Sequence, residues 1–278
     1  MDQASLEAVL AGLPVKDIYY SKRLGSTNEA AALWIEQGAP DLSLVVADEQ
    51  TAGKGRLGRK WFTWPGATLA FSLILHIQKD LETFLPRWSA LGALAVCEAL
   101  EEAYALQPEI KWPNDVLLDR RKAAGILAET VWLGEQPAGL ILGIGINVAP
   151  ASISEAALPK STLFFPAACV DEFLPCPVDR LRLLRLVLER VIAWRPRLVS
   201  PELINTWETH LAFRGEWVQF FPGEAPSQAG LPLQTQNTPP PVLEGKIVGL
   251  ASDGALRLQT LAGDETQVQV GDVRLRPV

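Results

Sequence analysis

Residues 53–61, Gly-Lys-Gly-Arg-Leu-Gly-Arg-Lys-Trp, constrain this chain more than any other segment. Three glycines and four cations fall in nine residues, directly after Leu42 to Asp48, an apolar run that reads as a short strand. A second strand-like run, Ala67 to Ile77, follows. Glycines let backbone amides approach an anion closely, and cations neutralise it. The spacing Gly53, Gly55, Gly58 satisfies the glycine pattern of a dinucleotide-binding turn. That turn must open a helix, and the following residues, with Pro65-Gly66 close behind, are a poor helix start. A GxxxxGK[ST] phosphate loop fails as well, because Arg59-Lys60 follow Gly58. Two readings remain: a loop that folds over a phosphate- or carboxylate-bearing ligand, and a solvated basic hairpin. Trp61 and Trp64 beside the charges favour a ligand-facing surface.

The rest of the chain reads as a mixed α+β protein. Val15 to Arg23 alternates like a strand, and Ser26 with Glu29 fits a capping box opening a helix that stops at Gly38. Trp88 to Leu106 has helical spacing. Glu109 to Asp119 fits two short strands around a Pro-Asn-Asp turn. Ala124 to Leu133 and Ala138 to Val148 read as a hairpin of buried strands. Asp179 to Trp194 and Glu202 to Ala212 are helical. Composition changes after Gly215: a strand at EWVQFF, six prolines between Pro222 and Pro241, a hairpin over Val242 to Thr260 turning at Ser252-Asp253-Gly254, and one last strand within Gln267 to Pro277. The expected division is a mixed sheet with packed helices over residues 1–214 and a small all-β module over 215–278.

A chain of 278 residues, 48% hydrophobic and 21% charged, can bury a sizeable core and is not globally disordered. Its net charge of -7 argues against nucleic acid as the main partner. Cys97, Cys169 and Cys176 are odd in number and irregularly spaced, which excludes a disulfide framework and points to buried free thiols in a reducing compartment. His76 and His210 are too far apart in the sequence to suggest a zinc site. The N-terminal segment lacks the basic start and long apolar run of a signal peptide, and the longest apolar run, near Leu69 to Ile77, is too short to cross a bilayer. A soluble, cytoplasmic protein is expected.

Two further segments carry chemistry. In Lys111-Trp-Pro-Asn-Asp115, with Lys122 and Gly125 beyond, Lys111 suits a phosphate, and Asn114 and Asp115 offer oxygens to a hard cation such as Mg²⁺. A turn held by side-chain to backbone bonds is the alternative. In Gly139 to Asn147, Gly143 and Gly145 sit two apart, so one strand face loses its side chains there. Either a ligand or a neighbouring helix packs against the bare backbone.

Together the ordered segments STNEAA, QTAGKGRLGRKW, KWPNDV…KAAGILAE and GIGINV resemble the biotin protein ligases, strongly over residues 18–150 and more weakly to the C-terminus. The resemblance implies a class II synthetase-like catalytic fold, that of biotin–lipoate ligases, followed by a small C-terminal SH3-like β-barrel. It implies an enzyme that makes biotinyl-5′-AMP from biotin and ATP and passes biotin to a lysine of a biotin carboxyl carrier protein of acetyl-CoA carboxylase. By motif match, Ser26, Thr27, Asn28, Gln50, Lys54, Gly55, Arg56, Lys122, Gly125 and Gly145 would hold biotin. Arg59, Trp61, Lys111, Asn114 and Asn147 would serve the nucleotide, Asn114 and Asp115 the Mg²⁺, and Lys122, Arg56 and Lys111 catalysis. Where family members usually read Gly-Arg-Gly-Arg, this chain has Gly-Lys-Gly-Arg, which keeps charge and loses one bidentate fork. Some members carry an N-terminal DNA-binding domain; with 25 residues before Ser26, none is expected here, and no DNA or membrane partner. A homodimer is left open. Lipoate or octanoate ligation, and non-catalytic biotin binding, are the rival functions.

Overall fold

The computed structural model describes residues 1–77, 84–153, 166–222, 243–269 and 271–275. Seven strands form a sheet in the order β1-β2-β3-β7-β6-β5-β4. They are β1 (Ile18–Leu24), β2 (Leu44–Gln50), β3 (Thr68–Leu75), β4 (Glu109–Lys111), β5 (Asp115–Leu118), β6 (Arg121–Leu133) and β7 (Gln136–Asn147). Only β1 and β2 pair in parallel, as expected for strands joined through a helix, here α2 (Thr27–Glu36). The remaining pairs are antiparallel.

The two faces of this sheet have different jobs, and the period-two alternation of the strands divides them. Leu44 and Val46, Leu69 to Leu75 at odd positions, and Leu140, Leu142, Ile144 and Ile146 join the main core with helix α3 (Leu85–Tyr104). Also in that core are residues of α1 (Gln3–Leu10), α4 (Arg180–Trp194) and α5 (Pro201–Thr209). Val45, Ile74 and Ile141 face the other way, against Ala31 and Ile35 of α2. On that second face, Ser72, Gly143, Gly145 and Asn147 continue the same alternation, so its apolar packing gives way to bare or polar positions near the start of α2.

Helix α1 was not anticipated. Asp2 accepts from the Ser5 amide and the Ser5 hydroxyl faces the Asp2 amide, a reciprocal cap written in the first five residues. The expected box at α2 does not form. Ser26 occupies the N-cap position without a side-chain capping bond, and Glu29 pairs instead with Lys54 at 2.9 Å. The Gln50 side-chain oxygen, Oε1, takes over the capping role, accepting from the Thr27 amide at 2.7 Å. Gly38 follows the helix with φ of 86°, the left-handed stop its sequence position suggests.

The C-terminal residues form a five-stranded antiparallel sheet, β11-β10-β9-β8-β12. Its strands are β8 (Trp217–Pro222), β9 (Leu243–Leu250), β10 (Leu256–Gln259), β11 (Glu265–Val268) and β12 (Gly271–Leu275). The single last strand expected within 267–277 is thus two strands, because β11 pairs with β10 and β12 pairs with β8 on the opposite edge. Apart from Pro222, the proline-rich stretch 222–241 lies outside the described residues. The core runs without a break across residue 214: Val218, Phe220, Ile247, Leu250, Leu256 and Leu258 belong to the same cluster as α3 and α5. Arg87 of α3 donates to the Leu198 and Ser252 carbonyls, and Trp112 Nε1 donates to the Gly254 carbonyl at 3.0 Å.

Cys97 and Cys169 are buried, and burial pushes both thiols above their ordinary range. Cys176 is exposed, contrary to the expectation of three buried thiols, because it lies in the irregular segment before α4. The thiolate is the reactive form, so the folded protein should react quickly with an aromatic disulfide reagent at Cys176 alone and at all three positions once unfolded. Rapid native reaction of a second thiol would contradict this burial. Among the described residues, no helix is long and apolar enough to cross a membrane.

Candidate active site

The N-terminus of α2, the glycine-rich loop and strands β3, β5, β6 and β7 meet on the second face of the sheet. Two adjacent parts can be separated. The first is neutral and polar. Thr27 and Asn28 are buried at the start of α2. Gln50 Oε1 accepts from the Thr27 amide and hydroxyl at 2.7 and 3.1 Å. The Ser72 hydroxyl lies 2.8 Å from Thr27 Oγ1 and donates to Asn28 Oδ1 at 2.6 Å. Asn28 Nδ2 donates to Glu129 Oε2 at 2.6 Å and more weakly to the Leu127 carbonyl at 3.4 Å.

This packing explains Gly143. A methyl group there would lie 2.1 Å from Asn28 Oδ1, so the asparagine can rest on the strand only where the strand has no side chain.

The second part is cationic. Lys111 on β4 and Lys122 on β6 converge on Asp115, the first residue of β5: Lys122 Nζ lies 2.6 Å from Oδ1 and Lys111 Nζ 3.8 Å from Oδ2. Lys111 and Asp115 are buried, and the Lys122 side chain is one quarter exposed. Two ammonium groups about one carboxylate leave a net positive site, which suits an incoming anion. The turn between β4 and β5 contains a cis Trp112–Pro113 bond. It carries Asn114, which donates to the Ile126 carbonyl at 2.7 Å and accepts from Arg56 at 3.2 Å. Asn114 thus joins the glycine-rich loop to β6.

Trp61 covers the cationic part. A methyl at Gly145 would lie 2.5 Å from its indole, and one at Gly125, opposite Gly145 on β6, would lie 3.2 Å away. Lys122 Nζ sits 5.5 Å from the ring centroid, within cation–π range. Trp61 Nε1 is buried and finds no acceptor among the described residues. A buried donor in that state costs about 1–3 kcal/mol, so no polar bond opposes displacement of the ring. Gly143 and Gly145 are two residues apart on one strand face, roughly 7 Å. Asn28 and Trp61 therefore rest on neighbouring stretches of bare backbone.

The structure brings Thr27, Asn28 and Gln50 together at one end, and Arg56, Trp61, Lys111, Asn114, Asp115, Lys122, Gly125 and Gly145 at the other. Asn147 lies beneath, donating to the Lys122 and Ala168 carbonyls. Ser26 is buried beside the first group. Three expected residues sit at the margin. Lys54 is half exposed and held by Glu29, whose hydrogen bond raises its pKa despite some burial. Gly55 donates to the Arg59 carbonyl within the loop, and Arg59 is exposed. Two residues were missed from sequence, Ser72 and Glu129. Ser72 had a readable signal, as the one hydroxyl in the interior of the apolar run Leu69 to Leu75.

A family model described as the biotin/lipoate A/B protein ligase family matches residues 20–147. A "Bifunctional ligase/repressor BirA" of Bacillus subtilis is 41% identical over 131 residues, which are 47% of this chain and 40% of that protein. The chain thus spans about two fifths of that relative's length. A "Biotin--[acetyl-CoA-carboxylase] ligase" of Paracoccus denitrificans is 33% identical over 246 residues, 87% of this chain and 93% of that protein. Among solved structures, a biotin protein ligase of Aquifex aeolicus in complex with biotin and ATP superposes with a TM-score of 0.69 at 29% identity. That alignment covers 95% of this chain and all of the other. The mixed sheet, its stripped second face and these similarities over most of the length agree, and the chain belongs to the biotin protein ligases of the biotin/lipoate A/B protein ligase family.

Proposed function

We propose that the chain activates biotin with ATP and transfers it to a lysine of a biotin carboxyl carrier domain. The observation that carries this reading is the juxtaposition, on one stripped sheet face, of a neutral hydrogen-bonding pocket and the Lys111–Asp115–Lys122 cluster. The vitamin has matching ends: a neutral ring rich in polar groups and a carboxylate.

A carboxylate is a poor acylating agent, and its attack on ATP must bring two anions together. Lys122, partly exposed and directed by Asp115, would neutralise the carboxylate as its oxygen attacks the α-phosphorus and pyrophosphate leaves. Lys111 and Arg56 would hold the phosphates, with Arg56 placed by Asn114. The ε-amine of the carrier lysine then attacks the acyl carbon of the mixed anhydride, and AMP departs. Trp61, displaced from Gly145 or seated over the bound nucleotide, would exclude water from the anhydride. Mg²⁺ would accompany ATP and screen its phosphates. Asn114 and Asp115 are the donors beside the site, but Asp115 is committed to two lysines and Asn114 Oδ1 to Arg56. That donor set does not fit a resident cation. Residues 1–214 would carry the chemistry and 215–278 brace the β4–β5 turn through Trp112, in a cytoplasmic protein without a DNA partner.

The test is incubation with biotin, Mg-ATP and a carrier domain, read by mass. A biotinyl increment on one carrier lysine is expected, together with pyrophosphate–ATP exchange that biotin stimulates and lipoate does not. Exchange stimulated by lipoate in place of biotin would transfer the assignment to the lipoate branch of the family.

A further inference from the structure

Resting on the biotin reading, we propose that the Lys54–Glu29 ion pair is a latch on the glycine-rich segment, one that sets how fast ligand enters and leaves rather than how tightly it is held. The segment is built to move as one piece. Its two legs pair as a short hairpin around an antiparallel bridge between Lys54 and Lys60. The Trp61 amide donates to the Gly53 carbonyl and the Gly55 amide to the Arg59 carbonyl, both at 2.8 Å. Arg56–Gly58 make the turn, with Gly58 at φ of 70°. At the base, the Thr63 hydroxyl accepts from the Gln50 amide, beyond Ala47, where the pairing of β2 with β3 ends. The base is thus tied to the sheet, and the rest of the hairpin is fastened by side chains.

Two of those side chains reach opposite walls of the recess. Lys54 meets Glu29, in the first turn of α2 beside the neutral part, at 2.9 Å. Arg56 meets Asn114, in the β4–β5 turn beside the cationic part, at 3.2 Å. Trp61 of the same hairpin lies on Gly145. The hairpin therefore bridges the recess, and a ligand reaches the bare strand only after it lifts. The Lys54 and Glu29 side chains are 48% and 49% exposed, so their contact is on the solvent side. A ligand seated beneath the hairpin leaves that contact intact. Glu129 on β6 adds a weaker pull on the same ammonium group.

The kinetic consequence is specific. A contact present in both the closed empty and the closed occupied protein, and broken when the hairpin lifts, slows entry and exit by one common factor. It favours neither the empty nor the occupied form, so it cancels from the equilibrium constant. For an ion pair this exposed the factor is about 2–5.

The experiment is stopped-flow tryptophan fluorescence of biotin binding to wild type and to Glu29→Gln, with the dissociation constant taken from an equilibrium titration. Trp61 moves with the hairpin and reports on it. Glu29→Gln should raise the association and dissociation rate constants together by about 2–5-fold, with the dissociation constant held within about 1.5-fold and the melting transition little changed. Between about 0.02 and 0.5 M salt, the variant-to-wild-type ratio of both rate constants should shrink toward one, because screening loosens the latch in wild type. Taking the ratio cancels the effect of salt on the biotin carboxylate itself. Unchanged rates in the variant, or a change in one rate constant alone that carries the dissociation constant with it, overturns the latch. Wild type that binds lipoate and not biotin overturns the biotin reading instead, and the same paired rates measured with lipoate then decide the latch.

Discussion

Lys122→Ala should lower biotin-dependent pyrophosphate–ATP exchange by about 10²–10³-fold, the usual effect of deleting one fixed charge aimed at a transition state. The expectation comes from the surroundings of the side chain. Lys122 is the less buried of the two ammonium groups on Asp115, and it is the one stacked against Trp61, over bare Gly125 and Gly145. A charge at the open end of a cluster meets the ligand; one at the closed end, such as Lys111, sets the field behind it. Lys122→Arg should recover part of the rate, since the charge returns on a longer and flatter group. Unfolding measured alongside should move little, because Asp115 keeps Lys111 as partner. An alanine variant within about threefold of wild type would remove Lys122 from the chemistry.

Trp112→Ala should be the most destabilising single change, by about 3–5 kcal/mol, the range for large aromatic truncations in a core. Trp112 is 2% exposed, and its ring lies 6.4 Å from that of Phe220. Its indole N–H donates to the Gly254 carbonyl. Truncation opens a cavity between the two sheets and strands a buried carbonyl. In a chain of this size the melting temperature should fall by about 5–9 °C. Activity should fall further than stability alone explains, because the same turn carries Lys111, Asn114 and Asp115. A variant that melts within about 2 °C of wild type would show that the second sheet does not brace this turn.

What could be read from sequence follows from how local each signal is. The β6–β7 hairpin and α3 were legible because their patterns run for ten or more residues and are satisfied by burial alone. The glycine-rich loop was legible because its charges and glycines are contiguous. Glu129 was not, since a lone acid in a strand acquires meaning only from Asn28, which the fold brings beside it. The capping box at Ser26 failed for the same reason: two distant residues, Gln50 and Lys54, compete for the groups that a local box would use. The division of the last strand also depends on partners on opposite edges of one sheet.

Strand β7 has one side in the main core and the other beneath Asn28 and Trp61. A one-residue slip in its pairing would exchange those sides, driving Ile144 and Ile146 into the recess and glycines into the interior. A molecule misaligned at this strand would therefore be both inert and unstable. Selection for turnover at this strand is at the same time selection for correct alignment.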